Sequence, residues 1–334
     1  MADEARLRAA VAGAIADETP LPREMRAWLE TTLAAEPWPH IMGDIADRAG
    51  PTGVVWHAGR ELIAFGEPDR IDMCFSIAKS ALATVAGLAF DDGRLGDLDE
   101  PAGERAGIPE LAGSPITWRH LLTQTSDWRG ELFGVPFWAD PQGRQGRDEP
   151  LHEPGTRFAY NDIRTNLLSL CLTRLFGRGL EDVLRERVMD PVGAGDGWSW
   201  RGLHDMRTED GHVVVTGGSH WGGGLWASAR QLARLGLLHL RGGEGLLAPE
   251  WLALQREPTP ARPAYGLMWW LRDGPFYASG AGDQLVWCDP ARDLVAVVRW
   301  ARDPFAVVDA VEDCVFEDGS VAERHNRRPE RTRT

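Results

Sequence analysis

Residues 77–91, IAKSALATVAGLAFD, are apolar or small on every side of a helical wheel apart from Lys79 and the terminal Asp91. A helix that is apolar all round has no face to offer water and must be enclosed by other elements. No apolar run in the chain approaches the ~20 residues of a membrane span, so the enclosure has to be protein. The spacing predicts a buried helix ending at Gly93, because glycine tolerates the left-handed backbone that terminates helices. Lys79 is the only lysine in the chain; the other 35 of its 36 Lys and Arg residues are arginine. An ammonium inside such a helix costs free energy unless something pairs or uses it. Unlike arginine, a lysine can surrender its proton when buried or beside other positive potential.

Ser76 stands three residues before Lys79 at the start of this helix. Three residues are nearly one turn, a rise of about 4.5 Å, so the two side chains share a face. A serine hydroxyl is a weak nucleophile until a neighbour takes its proton. Lys79 can take it, or can hold a second base in its charged form. The positive potential of the helix N-terminus is expected to assist a serine alkoxide and to lower the lysine pKa. Tyr160, one of three tyrosines with Tyr265 and Tyr277, sits at a loop-to-helix junction in EPGTRFAYNDIRTNLLSLCL. A phenol beside an ammonium is expected to have a lowered pKa and to shuttle a proton. Asn161 or Asp162 is the expected cap of the helix that follows. The third element is YASGAG (277–282), at the end of a predicted strand. Its small residues let a substrate lie against a strand edge, and one of its N–H groups can join that of Ser76 in an oxyanion hole. Read alone, it is a glycine bulge or turn.

The rest of the chain divides by period. Residues 3–34 read as a helix pair broken near Pro20 and Pro22, and GVVWH (53–57) and ELIAF (61–65) as a hairpin. The middle carries a short helix over 117–126 with Thr117 as its cap, an irregular stretch over 127–157, and helical patterns near 163–176, 180–189 and 228–240. Strand-like runs follow at 265–271, 275–282, 283–289 and 293–300, then a helix at 304–316 and a polar tail. These elements predict an α+β fold: one antiparallel sheet assembled from both ends of the chain and flanked by helices, beside an α-rich region. The expected division is an α/β part from 1–72 and 262–334, and a mostly helical part from 73–261.

Ser76-x-x-Lys79, then Tyr160-Asn161-Asp162, then Ala278-Ser279-Gly280 resembles the serine β-lactamase-like superfamily of class C β-lactamases, DD-peptidases, family VIII esterases and 6-aminohexanoate-dimer hydrolases. Residues 77–101, 117–128, 222–240 and 289–300 extend the likeness over about 50–300. The resemblance implies a β-lactamase/DD-peptidase-like fold. It implies Ser76 as the acylated nucleophile, Lys79 as its activating partner and Tyr160 as general acid or base. The N–H groups of Ser76 and Ala281 would form the oxyanion hole, with Asp162, Ser279 and Gly280 as substrate contacts. Two positions depart from the pattern. Asp162 stands where the family usually has Asn, and Ala278 where its third motif usually begins with Lys or His. Without that cation a lactam or peptide carboxylate lacks a partner. The expectation is therefore a serine hydrolase of a small ester or amide. The alternatives are β-lactamase or DD-peptidase activity, or a non-catalytic binding protein on the same scaffold.

Other chemistries are weaker on the page. VVVTGGSHWGGGLW nearly forms a G-x-S-x-G elbow at Ser219, but Trp221 takes the last glycine position and only His239 and His325 follow as bases. The stretch reads better as a glycine-rich loop lining the site, with His220 and Trp221 touching substrate. His204, His212 and His220 are spaced by eight, which is no helical metal-ligand pattern. No cofactor or metal is expected. A net charge of −14 without a basic stripe argues against a nucleic-acid partner. Cys74, Cys171, Cys288 and Cys314 form no C-x-x-C pair and read as free thiols in a reducing compartment. The N-terminal residues mix acids with arginines around no clean apolar core, so the expectation is a cytoplasmic protein with no membrane partner.

Overall fold

The computed structural model describes residues 4–34, 36, 41–140, 148–218 and 222–316, with backbone only for Leu203, His204 and Asp205. The N-terminal pair is α1 (Glu4–Ala14) and α2 (Met25–Leu33). β1 (Thr52–His57) and β2 (Arg60–Phe65) form the hairpin, turning through Ala58 and Gly59 at φ 48° and 81°. β3 (Asp72–Met73) leads into α3 (Ile77–Asp91). The middle holds α4 (Ala102–Ala106), α5 (Trp118–Leu122), the small hairpin β4 (Glu131–Leu132) and β5 (Val135–Pro136), α6 (Asp162–Phe176) and α7 (Leu180–Leu184). After these come β6 (Ser199–Arg207), β7 (Val213–Val215), β8 (Gly224–Ala227), α8 (Ala229–Leu240) and α9 (Pro249–Gln255). The last elements are β9 (Trp270–Leu271), β10 (Phe276–Gly280), β11 (Gln284–Asp289), β12 (Leu294–Arg299) and α10 (Pro304–Val315).

The main sheet has the order β2-β1-β12-β11-β10-β9, every pair antiparallel. Val54 faces Val297 across the join, so the two ends of the chain do share one sheet. Alternation along the strands serves two cores. Val54, Val286, Cys288, Val295 and Val297 pack with α3 and α8. Val55, Ile63, Leu285, Trp287, Leu294, Ala296 and Val298 pack with α1 and α10. A slip of one residue would exchange these faces, which is why the register is firmly set. Each Val or Leu so buried contributes roughly 1.5–3 kcal/mol.

α3 is enclosed as its composition demands: every residue from Ile77 to Ala89 is buried. At Gly87 a Cβ would lie 2.5 Å from the Trp251 indole nitrogen, so α9 closes directly onto the helix backbone. The middle also contains a second sheet, β3-β8-β6-β7, where no strand over β6 is foreseen. The strand expected over 265–271 shrinks to Trp270–Leu271. Met268 has φ 60°, and the backbone around it bonds elsewhere: Met268 N–H to Leu122 O, Leu267 N–H to Gln255 O, and Met268 O to the Ser80 hydroxyl. The apolar run is buried as a plug between helices instead of as a strand. α5 is shorter than expected because Gln124 turns out of the helix at φ 60°, while Thr117 caps it with His120 in reciprocal hydrogen bonds. We propose the division near residues 72 and 262 as the border between the sheet-bearing and helical parts; α8 crosses it to pack on the sheet. No helix among the described residues is long and apolar enough to cross a membrane.

Candidate active site

Ser76 is the residue before α3, with φ −66° and ψ −6°, and its side chain does not cap the helix. The hydroxyl is therefore left for another partner. The first turn is tighter than an ordinary α-helix. N–H groups of Ile77, Ala78 and Lys79 bond the carbonyls of Cys74, Phe75 and Ser76, three residues back. In such a turn side chains at i and i+3 eclipse, and Lys79 Nζ stands 3.1 Å from Ser76 Oγ. Phe75, directly before Ser76, has φ 50°, a strained conformation for an aromatic residue. Its ring is gripped edge-on by Trp28 and Trp300.

Tyr160 and Asp162 arrive from the far side. Asn161 caps α6, its side-chain oxygen accepting from Arg164 N–H at 2.9 Å, so the cap is not Asp162. The Asp162 carboxylate pairs with the Lys79 ammonium. Lys79 Nζ also lies 4.4 Å from the Tyr160 ring centroid, so the phenol shares the surroundings of Ser76 and Lys79, and both act on its ionisation. The structure thus brings together Ser76, Lys79, Tyr160 and Asp162.

Two charge expectations are corrected. Burial acts to lower the Lys79 ammonium, but the Asp162 carboxylate and Tyr160 outweigh it and the net shift is upward. Burial pushes the Tyr160 phenol up; Lys79 opposes this and Asp162 adds to it, and the net shift is again upward. The resting site therefore holds an ammonium, a carboxylate and a neutral phenol. The lowered values expected from the motif alone leave out the carboxylate at position 162.

The Tyr160 segment is irregular and needs external support. Gln124 brackets it: its backbone carbonyl accepts from Ala159 N–H at 2.9 Å and its side-chain oxygen from Asn161 N–H at 3.1 Å. Gln124 Nε2 is anchored in turn on Thr165 Oγ1 at 2.7 Å. Asp140 accepts from the Asp162 N–H. Arg164 ties the Asp127 carboxylate at 2.8 Å and Trp128 O at 2.8 Å, holding the start of the long loop to α6. Gly218 packs on the other side of Asp162, where a Cβ would fall 1.9 Å from the carboxylate. Gln124 and Gly218 are the residues that sequence reasoning missed; the glycine-rich run at 217–224 was the only signal for the second.

The β10 end closes the site. A Cβ on Gly280 would lie 2.5 Å from Cys74 O, so only glycine lets β10 approach the backbone leading to Ser76. Ser279 is partly exposed, and Ala278 is buried opposite Val286. Ala281 is partly buried, its carbonyl accepting from Gln284 Nε2 at 2.9 Å. His220, Trp221 and Ser219 lie outside the described residues. His239, the remaining base for a Ser219 reading within them, is a core residue: it bonds Thr84 Oγ1 at 2.8 Å and packs on Trp269. Burial holds its imidazole down at about 3, with Arg256 acting in the same direction. Among the described residues no three His, Cys, Asp or Glu side chains gather as a metal site. All four cysteines are unpaired.

A hydroxyl on an ammonium, a carboxylate behind it and a phenol alongside stand together at the start of α3 on an α+β frame. The chain belongs to the Beta-lactamase family, whose model matches residues 54–313, and with it to the serine hydrolases of that superfamily. It is 26% identical over 280 residues to the 6-aminohexanoate-dimer hydrolase of Paenarthrobacter ureafaciens, covering 69% of this chain and 66% of that protein, just under two thirds of its length. Among solved structures it is similar to the hydrolase EstCE1, which has promiscuous acyltransferase activity (TM-score 0.62, 17% identity, 92% of this chain and 99% of that one). A β-lactamase from Mycobacterium bovis matches with TM-score 0.57 and 23% identity over 85% of this chain and 98% of that one. At these identities the solved structures establish the fold, which is the β-lactamase/penicillin-binding-protein type.

Proposed function

We propose that this protein hydrolyses, or transfers the acyl group of, a small ester or amide through an acyl-enzyme on Ser76. The observation that carries the reading is the Ser76–Lys79 contact of 3.1 Å with Asp162 paired to the same ammonium. Attack by Ser76 passes its proton to Lys79 as Lys79 passes one to Asp162. The intermediate then holds an ammonium and a neutral carboxyl. Its collapse draws a proton from Tyr160 onto the leaving group, and Asp162 restores it through Lys79. Lys79, Tyr160 and Asp162 are then back in their resting states with Ser76 acylated. Water or an acceptor alcohol attacks the Ser76 ester, and its proton travels through the same groups to Ser76 Oγ as the acyl group leaves. No histidine is needed. The N–H groups of Ser76 and Ala281 receive the developing oxyanion. Ser279 and Gly280 offer the strand edge to substrate.

Substrate choice rests on Ala278. A buried methyl there supplies no charge for a carboxylate, which favours neutral esters and linear amides over β-lactams. The relatives named above, a 6-aminohexanoate-dimer hydrolase and a hydrolase with promiscuous acyltransferase activity, support the same class. The test is a panel of short-chain aryl esters, linear amides and a chromogenic cephalosporin. Esters or amides are expected to turn over best; a cephalosporin turned over faster than every ester would overturn the substrate assignment.

A further inference from the structure

Arg299 is a charged residue with no exposed surface, and among the described residues no carboxylate lies within ion-pair distance of it. Burying a guanidinium so is costly unless its donors are all placed. Each of its three nitrogens has a partner: Nε on Gln284 Oε1 at 2.7 Å, one terminal nitrogen on Ala227 O at 2.6 Å, the other on Met73 O at 2.9 Å. Gln284 is equally buried and has its amide turned by that bond, so Nε2 donates to Met73 O at 3.1 Å and to Ala281 O at 2.9 Å.

The Gln284 amide thus joins two stretches of backbone, at Met73 and at Ala281, that lie 208 residues apart in sequence. Met73 leads through Cys74 and Phe75 to Ser76. Ala281 follows Gly280, which touches the Cys74 carbonyl. The next residue, Trp300, underlies the same two stretches: its ring meets Phe75 edge-on and would lie 2.5 Å from a Cβ on Gly282. We propose that Gln284, aimed by Arg299, is the positioning residue that fixes the separation and direction of the Ser76 and Ala281 N–H groups. The proposal rests on the hydrolase reading of the site. Gln284 touches neither substrate nor the reacting oxygen; it fixes the Ala281 carbonyl, and with it the conformation that aims the Ala281 N–H. An oxyanion hole works only if its donors are already in place when charge develops, and a misplacement of about 1 Å is enough to cost up to ~10²-fold.

The test compares wild type, Gln284→Met and Gln284→Glu on an aryl ester, with phenylboronic acid as a probe of the tetrahedral state. Methionine keeps the length and loses the donor; glutamate keeps the size and the bond to Arg299 but cannot donate to Ala281. Both are expected to lower kcat about tenfold or more with KM nearly unchanged, and to weaken boronate inhibition by the same factor, with near-UV circular dichroism retained. Wild-type kcat and boronate affinity in either folded variant would overturn the proposal. So would a loss confined to KM, or failure of both variants to fold, which would make the role one of stability. A wild type that is neither inhibited by boronate nor acylated at Ser76 fails the hydrolase reading itself.

Discussion

The two halves of the site are built by different means. Ser76 and Lys79 sit three residues apart on one tight helical turn, and their contact follows from local geometry plus the enclosure of α3. Tyr160 comes from irregular chain and Asp162 from the first position of α6, and both are held by Gln124, Asp140 and Gly218, residues up to 56 positions from those they touch. The first half is robust to distant change and intolerant of change at its own two positions. The second half depends on polar groups that never touch the reacting atoms.

The largest effect should come from breaking the helical half. Lys79→Arg keeps the charge but removes proton exchange, and kcat is expected to fall by roughly 10²–10⁴-fold. Steady-state turnover of the best ester would show it, and near-wild-type turnover would reduce Lys79 to a fixed charge. Asp162→Asn probes the bond between the halves. Burial lowers the Lys79 ammonium and Asp162 is the larger of the two groups that raise it, so the variant leaves only Tyr160 against burial and the lysine pKa falls. Only free amine can then accept the serine proton. Activity near neutrality should drop by about 10–10²-fold and climb up to tenfold per pH unit toward the lowered pKa. Wild type should be flat over that window; superimposable profiles would argue against the Asp162 relay.

Gln124→Leu tests the network half alone. It keeps size and removes the side-chain hydrogen bonds, leaving Asn161 N–H without its partner and Thr165 Oγ1 with only its bond to Asn161 O. A loss of about 1–3 kcal/mol in urea unfolding is expected, with kcat reduced about tenfold. The smallest effect lies farther along α3, at the Thr84–His239 pair. An unfolded histidine titrates near 6.5 and folded His239 at about 3, so between these values only the unfolded chain binds the proton. Stability present above pH 6.5 is therefore lost as pH falls toward 3. From pH 7 to 5 wild type should lose about 2 kcal/mol more than His239→Gln, with turnover at pH 7 little changed in the variant.

The contrast between the halves also explains what could be read from residues alone. The hairpin, the sheet joining 52–65 to 284–299 and the Ser76–Lys79 turn all carry a local period or a fixed spacing. The Asn161/Asp162 alternatives could not be separated, because which of two adjacent polar residues caps a helix depends on what the other one meets; here it meets Lys79. The upward shift of Lys79 was hidden for the same reason; that of Tyr160 comes first from burial, which only the packed structure sets. Gln124 left no periodic trace, since its function is set by hydrogen bonds to chain 35 to 41 residues later. The run at 265–271 shows the opposite failure: an apolar pattern fits a strand and a buried plug equally well.

The central claim is the covalent intermediate on Ser76. The direct measurement is acid-quenched intact-mass and peptide mapping of the protein after brief mixing with an aryl acetate, beside Ser76→Ala. The account predicts one acetyl group per chain, located at Ser76 and lost with time as turnover proceeds, and neither adduct nor turnover in Ser76→Ala. Turnover that survives in Ser76→Ala, or an acetyl group carried through the cycle on another residue, would contradict it.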